Sequence, residues 1–245
     1  MKIARLGMTQ GPRFAVLDDQ RGEYIVLADD PMFGQIEPTG QKLELDEGRP
    51  VAPMLPRSKV VGLGGTYGAK SLDELAFFLK PNTSVIGPED PAIIPTWAPS
   101  FLYEAELAVV ISRVAKQVTV KRSPEVIFGY TLTNDITVSG VVGDRAKVFD
   151  TSCPLGPVIT TDFDPSSAEV TMRIDGTPIG TQAFSNLTYS VPELVAYVSS
   201  ICTLLPGDII MTGAAVSSEG QPGQLVEVAC EGIGSIHTRV VRDED

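Results

Sequence analysis

Histidine is almost absent from this chain: its 245 residues hold one, His237, in the alternating segment SIHTRVV. A single histidine gives no footing for a Ser-His-Asp triad or for a His-rich zinc site within one chain. His237 itself reads as a structural residue near the end of a strand. Cysteine is scarce too. Cys153, Cys202 and Cys230 are widely spaced and form no Cys-x-x-Cys pair, so they read as buried thiols in a reducing compartment. Positive charge is short, with 19 Lys and Arg against 31 Asp and Glu and a net charge of −12. That balance argues against a nucleic-acid partner and mainly favours solubility. No apolar run approaches the roughly 20 residues of a membrane helix. The opening MKIARLGMTQ has no signal-peptide apolar stretch. A cytoplasmic protein with no membrane partner is expected, and any divalent metal would have to be held mainly by oxygen.

What is present suits a globular fold rich in turns, with 43% apolar residues, 23 glycines and 19 prolines. The length fits one sizeable domain or one domain plus a small appendage. KIARL, RFAVLD and EYIVLAD read as short strands, so residues 1–55 form a small N-terminal β domain and residues 56–245 the main domain. SKVVGLGG reads as a strand running into glycines. SLDELAFFLK (71–80) reads as a helix: Ser71 and Glu74 make a capping box, Leu72, Leu75, Ala76 and Leu79 share one face, and Pro81 ends it. SPEVIFGY reads as a short helix start with Ser123 as its cap. EVTMRIDGTPIGTQ is a hairpin turning at Asp175-Gly176. VPELVAYVSSICTL is an amphipathic helix, and DIIMTG and QLVEVACEGIGSIHTRVV are strands. The fold class is α+β and mostly β, with few helices.

The chemistry concentrates in FLYEAELAVVIS. Glu104 and Glu106 stand two apart in a strand-like segment, so their side chains share one face. Two adjacent carboxylates repel; either one is protonated or a cation neutralises both. A hard cation such as Mg²⁺ suits carboxylate oxygens. The alternative is a solvent-facing strand edge with both glutamates hydrated. Asp135 in GYTLTNDIT lies in another apolar, β-prone segment, followed by Lys147 and Asp150 in RAKVFDTSCPLGP and Asp208 in LLPGDIIMTG. Spacing alone selects no metal motif among them.

Together these segments resemble the fumarylacetoacetate hydrolase family. YEAELAVVIS is similar to its Glu-x-Glu metal strand, and GYTLTNDIT to its Gly-Tyr-x-x-x-Asn-Asp-x-Thr segment. RAKVFDTSCPLGP, LLPGDIIMTG and CEGIGSIHTRVV resemble three further blocks in the family's order. The likeness runs from about Ser58 to the C-terminus, and the first 55 residues resemble a small N-terminal domain of some bacterial members. The resemblance implies a β roll of the family's C-terminal type, a homodimer, and Mg²⁺ (or Mn²⁺ or Ca²⁺) held by Glu104, Glu106 and Asp135. It implies that Lys147 lies beside a small-molecule substrate, where its charge can stabilise a developing oxyanion. A plain salt bridge to Asp135 or Asp150 is the other reading of Lys147. Tyr67, Gln182, Thr212 and Gly213 fall at substrate-binding positions. The implied activity acts on a β-dicarbonyl or 2-oxo-acid-like molecule through a metal-stabilised enolate.

The sequence also departs from the family. Where a His and a Glu usually stand on a lid helix to activate water, GGTYGAKSLDEL has Lys70 and, nearest the Glu, Asp73. Lys70 could act as a base only with a strongly lowered pKa, and a solvated lysine is the bland reading. Ser139 and Gly140 replace an Arg and an Asp, and Ala214 lacks the hydroxyl of a Thr that helps hold a substrate carboxylate. C–C bond hydrolysis or decarboxylation is the family default. The altered lid and loops leave tautomerisation, isomerisation or cyclisation open, and a catalytically silent binding homologue is the third reading.

Overall fold

The computed structural model describes residues 1–243. The N-terminal strands are β1 (Lys2–Gly7), β2 (Arg13–Asp18), β3 (Glu23–Leu27), β4 (Pro38–Glu44) and the short β5 (Arg49–Val51). There follow β6 (Val60–Gly64), β7 (Ala76–Lys80), β8 (Val85–Ile86), β9 (Ala92–Ile94), the long β10 (Ser100–Ile111), β11 (Ile127–Asn134) and β12 (Thr137–Ser139). The remainder is β13 (Cys153–Thr160), β14 (Glu169–Ile174), β15 (Thr177–Ala183), helix α1 (Val191–Ile201), β16 (Ile209–Met211), β17 (Ser217–Glu219), β18 (Leu225–Cys230) and β19 (Gly234–Arg242). The mostly β, α+β class expected from the pattern is what is found. No helix among the described residues is long and apolar enough to cross a membrane.

The strands form two sheets. The larger runs β4-β3-β2-β1-β13-β11-β10-β16-β6-β7, and the smaller runs β15-β14-β18-β19-β9. The N-terminal meander is continuous with the larger sheet, because β1 pairs with β13 at Lys2↔Thr160 and Ile3↔Ile159. β10 lies deep in this sheet and is covered on both faces. Leu107, Val109 and Ile111 pack into one core with Val170, Val226 and Ile236 of the smaller sheet. Ala108 and Val110 pack into another with Val60, Ile209 and Met211. Double coverage explains why ELAVVI is an unbroken apolar run after its last carboxylate.

Two local signals act as expected. Asp175 and Gly176 take the left-handed backbone conformation (φ 50° and 78°) that a tight β14–β15 turn demands. In α1, the Glu193 carboxylate accepts from the Ser190 backbone N–H at 2.8 Å and from its hydroxyl at 2.7 Å. Val191, Leu194, Val195 and Val198 then form the buried face.

The segment 71–80 differs from its sequence reading. Only Leu72–Glu74 turns, as a single 3₁₀ turn, and Ala76–Lys80 is strand β7. Ser71 makes no side-chain capping bond, and Glu74 instead accepts from the backbone N–H of Lys70 at 2.8 Å. Of the expected apolar face, Leu75 is buried while Ala76 and Leu79 are exposed. Adjacent Phe77 and Phe78 suit a pleated surface, and β6 offers a partner with room for them. Gly62 pairs with Phe78, and a Cβ at position 62 would lie 2.0 Å from the Phe78 ring. Long-range pairing thus overrides a local helical pattern. The SPEV segment is likewise 3₁₀, spanning Val120–Val126, with Thr119 rather than Ser123 at its N-cap. The Ser123 hydroxyl bonds the carbonyls of Val120 and Pro192 instead.

Candidate active site

Glu104 and Glu106 project from one face of β10, at the point where its partner changes. From Ala105 onward β10 pairs with β11, while Ser100–Leu102 pair with β12. Asp135 and Ile136 form the break between those two partner strands. The break keeps its backbone bonds: Asp135 N–H donates to Glu104 O at 2.8 Å, and Ile136 N–H to Ser152 O at 3.0 Å. Interrupting the strand is what lets the Asp135 side chain join the two glutamates. Glu106 and Asp135 are almost fully buried, whereas a quarter of the Glu104 side chain is exposed. The site therefore opens to solvent on the Glu104 side.

Two lysines face these carboxylates. Lys147 Nζ donates to Glu104 Oε2 at 2.8 Å, to Thr137 Oγ1 at 2.5 Å and to Asp135 Oδ2. It also sits 4.3 Å from the centroid of the Phe78 ring, a cation–π contact. Lys80 is wholly buried. Its three donors go to Ser152 Oγ, Ser152 O and Ile136 O at 2.8, 3.0 and 3.1 Å. It lies 2.9 Å from Asp135 Oδ1, yet that oxygen has no hydrogen bond. Lys80 and Asp135 thus form a close ion pair whose angles fall outside those of a hydrogen bond.

Lys147 and Lys80 pair with Glu104 and Asp135, while Glu106 has no ion-pair partner among the described residues. The Glu106 carboxyl is pushed well above the usual range, first by burial and then by Asp135 and Glu104; Lys147 and the Gly213 N–H oppose the shift. Burial works against the charge on Lys147, but Asp135 and Glu104 outweigh it and hold the ammonium above its ordinary value. Lys147 is a permanent cation here, and its salt bridges run to Glu104 and Asp135 rather than to Asp150.

The donor chemistry fits a hard divalent cation. Glu104, Glu106 and Asp135 offer only oxygen, and Glu106 has no ion-pair partner among the described residues. Among the described residues, no three His, Cys, Asp or Glu side chains already converge as a coordination shell; the Lys147 ammonium bridges two of the three carboxylates.

The opposite wall comes from Thr66, Tyr67, Gln182 and the segment after β16. Glu106 Oε2 accepts from Gly213 N–H at 2.6 Å. Gly213 has φ 91°, and a Cβ there would meet Thr66 Oγ1 at 2.2 Å, so only glycine brings this amide to the carboxylate. Gln182 Oε1 accepts from the Ala215 and Val216 amides at 2.6 and 3.0 Å. Four buried donor groups flank the site without a partner: Thr66 Oγ1, Tyr67 OH, Asn134 Nδ2 and Gln182 Nε2. Burial, followed by the nearby Glu106 charge, pushes the Tyr67 phenol up, so it keeps its proton. Such groups are costly to bury unpaired, which marks them as donors awaiting a ligand or water.

Other sequence candidates have different fates. The Thr212 hydroxyl donates to Leu107 O at 2.9 Å, tying β16 to β10 rather than facing a ligand. Lys70 and Asp73 are exposed, and neither side chain has an ion-pair or hydrogen-bond partner among the described residues. Asp208 is a structural hub, paired with Lys59 Nζ at 2.6 Å and bonded to Ser58 and the Leu205 amide. His237 belongs to β19, where its backbone N–H donates to Pro88 O. The three cysteines are free thiols, and burial raises that of Cys153 to about 11. A cavity of about 620 Å³ beside the smaller sheet, lined by Phe163, Glu169, Glu227, Cys230 and Glu231 among others, contains none of the carboxylates or lysines of the site. Chemistry rather than volume locates the site.

Sequence reasoning missed Phe78 and Lys80. Both stand on β7 two residues apart, so both reach the site. The helical reading of 71–80 hid that spacing, since residues two apart on a helix do not share a face.

Comparison with known proteins follows the same lines. Residues 66–241 match the model of the fumarylacetoacetate (FAA) hydrolase C-terminal domain, and residues 1–53 match the Rv2993c-like N-terminal domain. The protein Rv2993c of Mycobacterium tuberculosis is 36% identical, over 99% of this chain and 98% of its own. A crystal structure of 5-carboxymethyl-2-hydroxymuconate delta-isomerase from Mycobacterium smegmatis superposes with a TM-score of 0.92 at 36% identity, covering 99% of this chain and all of the other. Fumarylacetoacetate hydrolase from psychrophilic Exiguobacterium antarcticum superposes with a TM-score of 0.88 at 27% identity, again over 99% of this chain and all of the other.

Proposed function

The chain belongs to the fumarylacetoacetate hydrolase family, and from that premise we propose that it is a divalent-cation-dependent enzyme. Its substrate is a 2-oxo-acid-like or β-dicarbonyl small molecule, which it rearranges without cleaving. One observation carries the choice of rearrangement over hydrolysis. The carboxylates and Lys147 are intact and interlocked, while Lys70 and Asp73, at the positions of a water-activating pair, are exposed and unpartnered among the described residues. The isomerase likeness from Mycobacterium smegmatis supports the same choice.

Glu104, Glu106 and Asp135 would hold the cation, which when bound supplies a Lewis acid for adjacent substrate oxygens. The chain's own groups do the rest. Lys147, fixed as a cation, offsets negative charge as it develops on a substrate oxygen. The protonated Tyr67 phenol and the free Gln182 amide protons orient the substrate by donating to its oxygens.

The test is product mass and isotope uptake with enolisable 2-oxo acids in deuterated buffer. A product of unchanged mass, apart from deuterium gained at the carbon beside the carbonyl, is expected. Addition of water or loss of carbon dioxide would establish the family's cleavage chemistry instead. Tight ligand binding with no turnover across the panel would establish a silent homologue.

A further inference from the structure

Lys80 has no part in the reading above, yet its placement is unusual. An ammonium with no exposed surface is costly unless it is paired and hydrogen-bonded, and the pairs it makes are specific. Two of its three donors go to the carbonyls of Ile136 and Ser152. These residues bracket segment 137–151, the loop that carries Lys147. Its third donor goes to Ser152 Oγ, and that hydroxyl in turn donates to the Lys147 carbonyl at 3.2 Å. Beside these contacts the ammonium lies 2.9 Å from Asp135 Oδ1. One buried cation thus touches both ends of the loop, the backbone of its lysine through one hydroxyl, and a carboxylate of the site. The ring of Phe149, from the same loop, packs 5.8 Å from the ammonium, with Trp97 edge-on to it and Arg145 stacked on Trp97.

We propose that Lys80 is a positioning residue that clamps the 137–151 loop shut and aims the Asp135 carboxylate and Lys147 at the same point. The proposal rests on the metal reading above for its affinity readout, but not for its loop readout. A purely electrostatic role makes the opposite forecast: deleting a buried positive charge beside three carboxylates would tighten divalent-cation binding.

The experiment measures Mn²⁺ affinity by titration calorimetry, and hydrogen exchange of residues 137–151, in the full-length wild type, Lys80→Met and Ser152→Ala. Clamping predicts that Lys80→Met weakens Mn²⁺ about 10- to 100-fold, the range for partners that orient metal-binding side chains, and speeds exchange in the loop. Ser152→Ala moves both readouts the same way by less. Unchanged or tighter Mn²⁺ binding with unchanged loop exchange overturns the proposal, even if the melting temperature falls. Should Lys80→Met not fold, Ser152→Ala decides, and its indifference in both readouts overturns the proposal. Should the wild type bind no Mn²⁺, the metal reading fails and loop exchange alone judges Lys80.

Discussion

The two walls of the site are built on opposite terms. On one side, Glu104, Asp135, Thr137, Lys147, Ser152 and Lys80 form a closed network in which almost every polar atom has a partner. On the other, Thr66, Tyr67 and Gln182 bury donors with none, and the turn beyond them reaches solvent at Lys70 and Asp73. A saturated network resists change because removing one member strands several. An unsaturated wall can be rewritten one residue at a time, since each group answers to the ligand rather than to its neighbours. This difference explains how the charged half can keep the family pattern while the lid half departs from it.

The contrast breaks most visibly at Asp135. Asp135→Ala removes the partner of the buried Lys80 and the part-buried Lys147, so chemical denaturation is expected to show a loss of about 3–5 kcal/mol, together with loss of divalent-cation binding. Next comes Lys147→Met, expected to lower kcat about 10²- to 10³-fold, the usual cost of removing one charge-stabilising donor. An unchanged kcat would reduce Lys147 to a structural salt bridge. A control outside both walls is Glu193. The Ser190 bonds lower its pKa from an ordinary 4.5. Its contribution is therefore present above pH 4.5 and lost as pH falls through the depressed value. Glu193→Ala should cost about 0.3–0.5 kcal/mol at neutral pH, because the charge is exposed and screened, and nothing in strong acid. On the open wall no effect beyond this scale is expected: Lys70→Ala and Asp73→Ala should each leave stability and turnover within about 0.5 kcal/mol of wild type. A large turnover loss in either would return the turn to catalysis and favour hydrolysis.

How much of this was legible in the sequence varies with the range of the forces involved. The Asp175-Gly176 turn, the face of α1 and the shared face of Glu104 and Glu106 follow from local geometry and could be read directly. Asp135 could be chosen only through the family's motifs, because its side chain reaches the site at a break between β11 and β12 that no local rule announces. The segment 71–80 was misread because its apolar spacing satisfies a helix while its fate is set by β6, more than ten residues earlier. With that strand went Lys80, which looks in sequence like an ordinary charged residue before a proline. Thr212 shows the reverse case: the right type at a plausible position, with its hydroxyl already committed to Leu107.

The pairing of Gly62 with Phe78 reaches further than packing. The ring occupies the volume where a side chain at position 62 would stand, and on its other contact it meets the Lys147 ammonium. Position 62 therefore acts as a spacer whose thickness sets the reach of the lysine. A single added methyl group, two strands away from any carboxylate, would force the ring to move, and with it the surface on which the Lys147 ammonium rests. The seat of that charge is thus set in part by a residue that has no side chain.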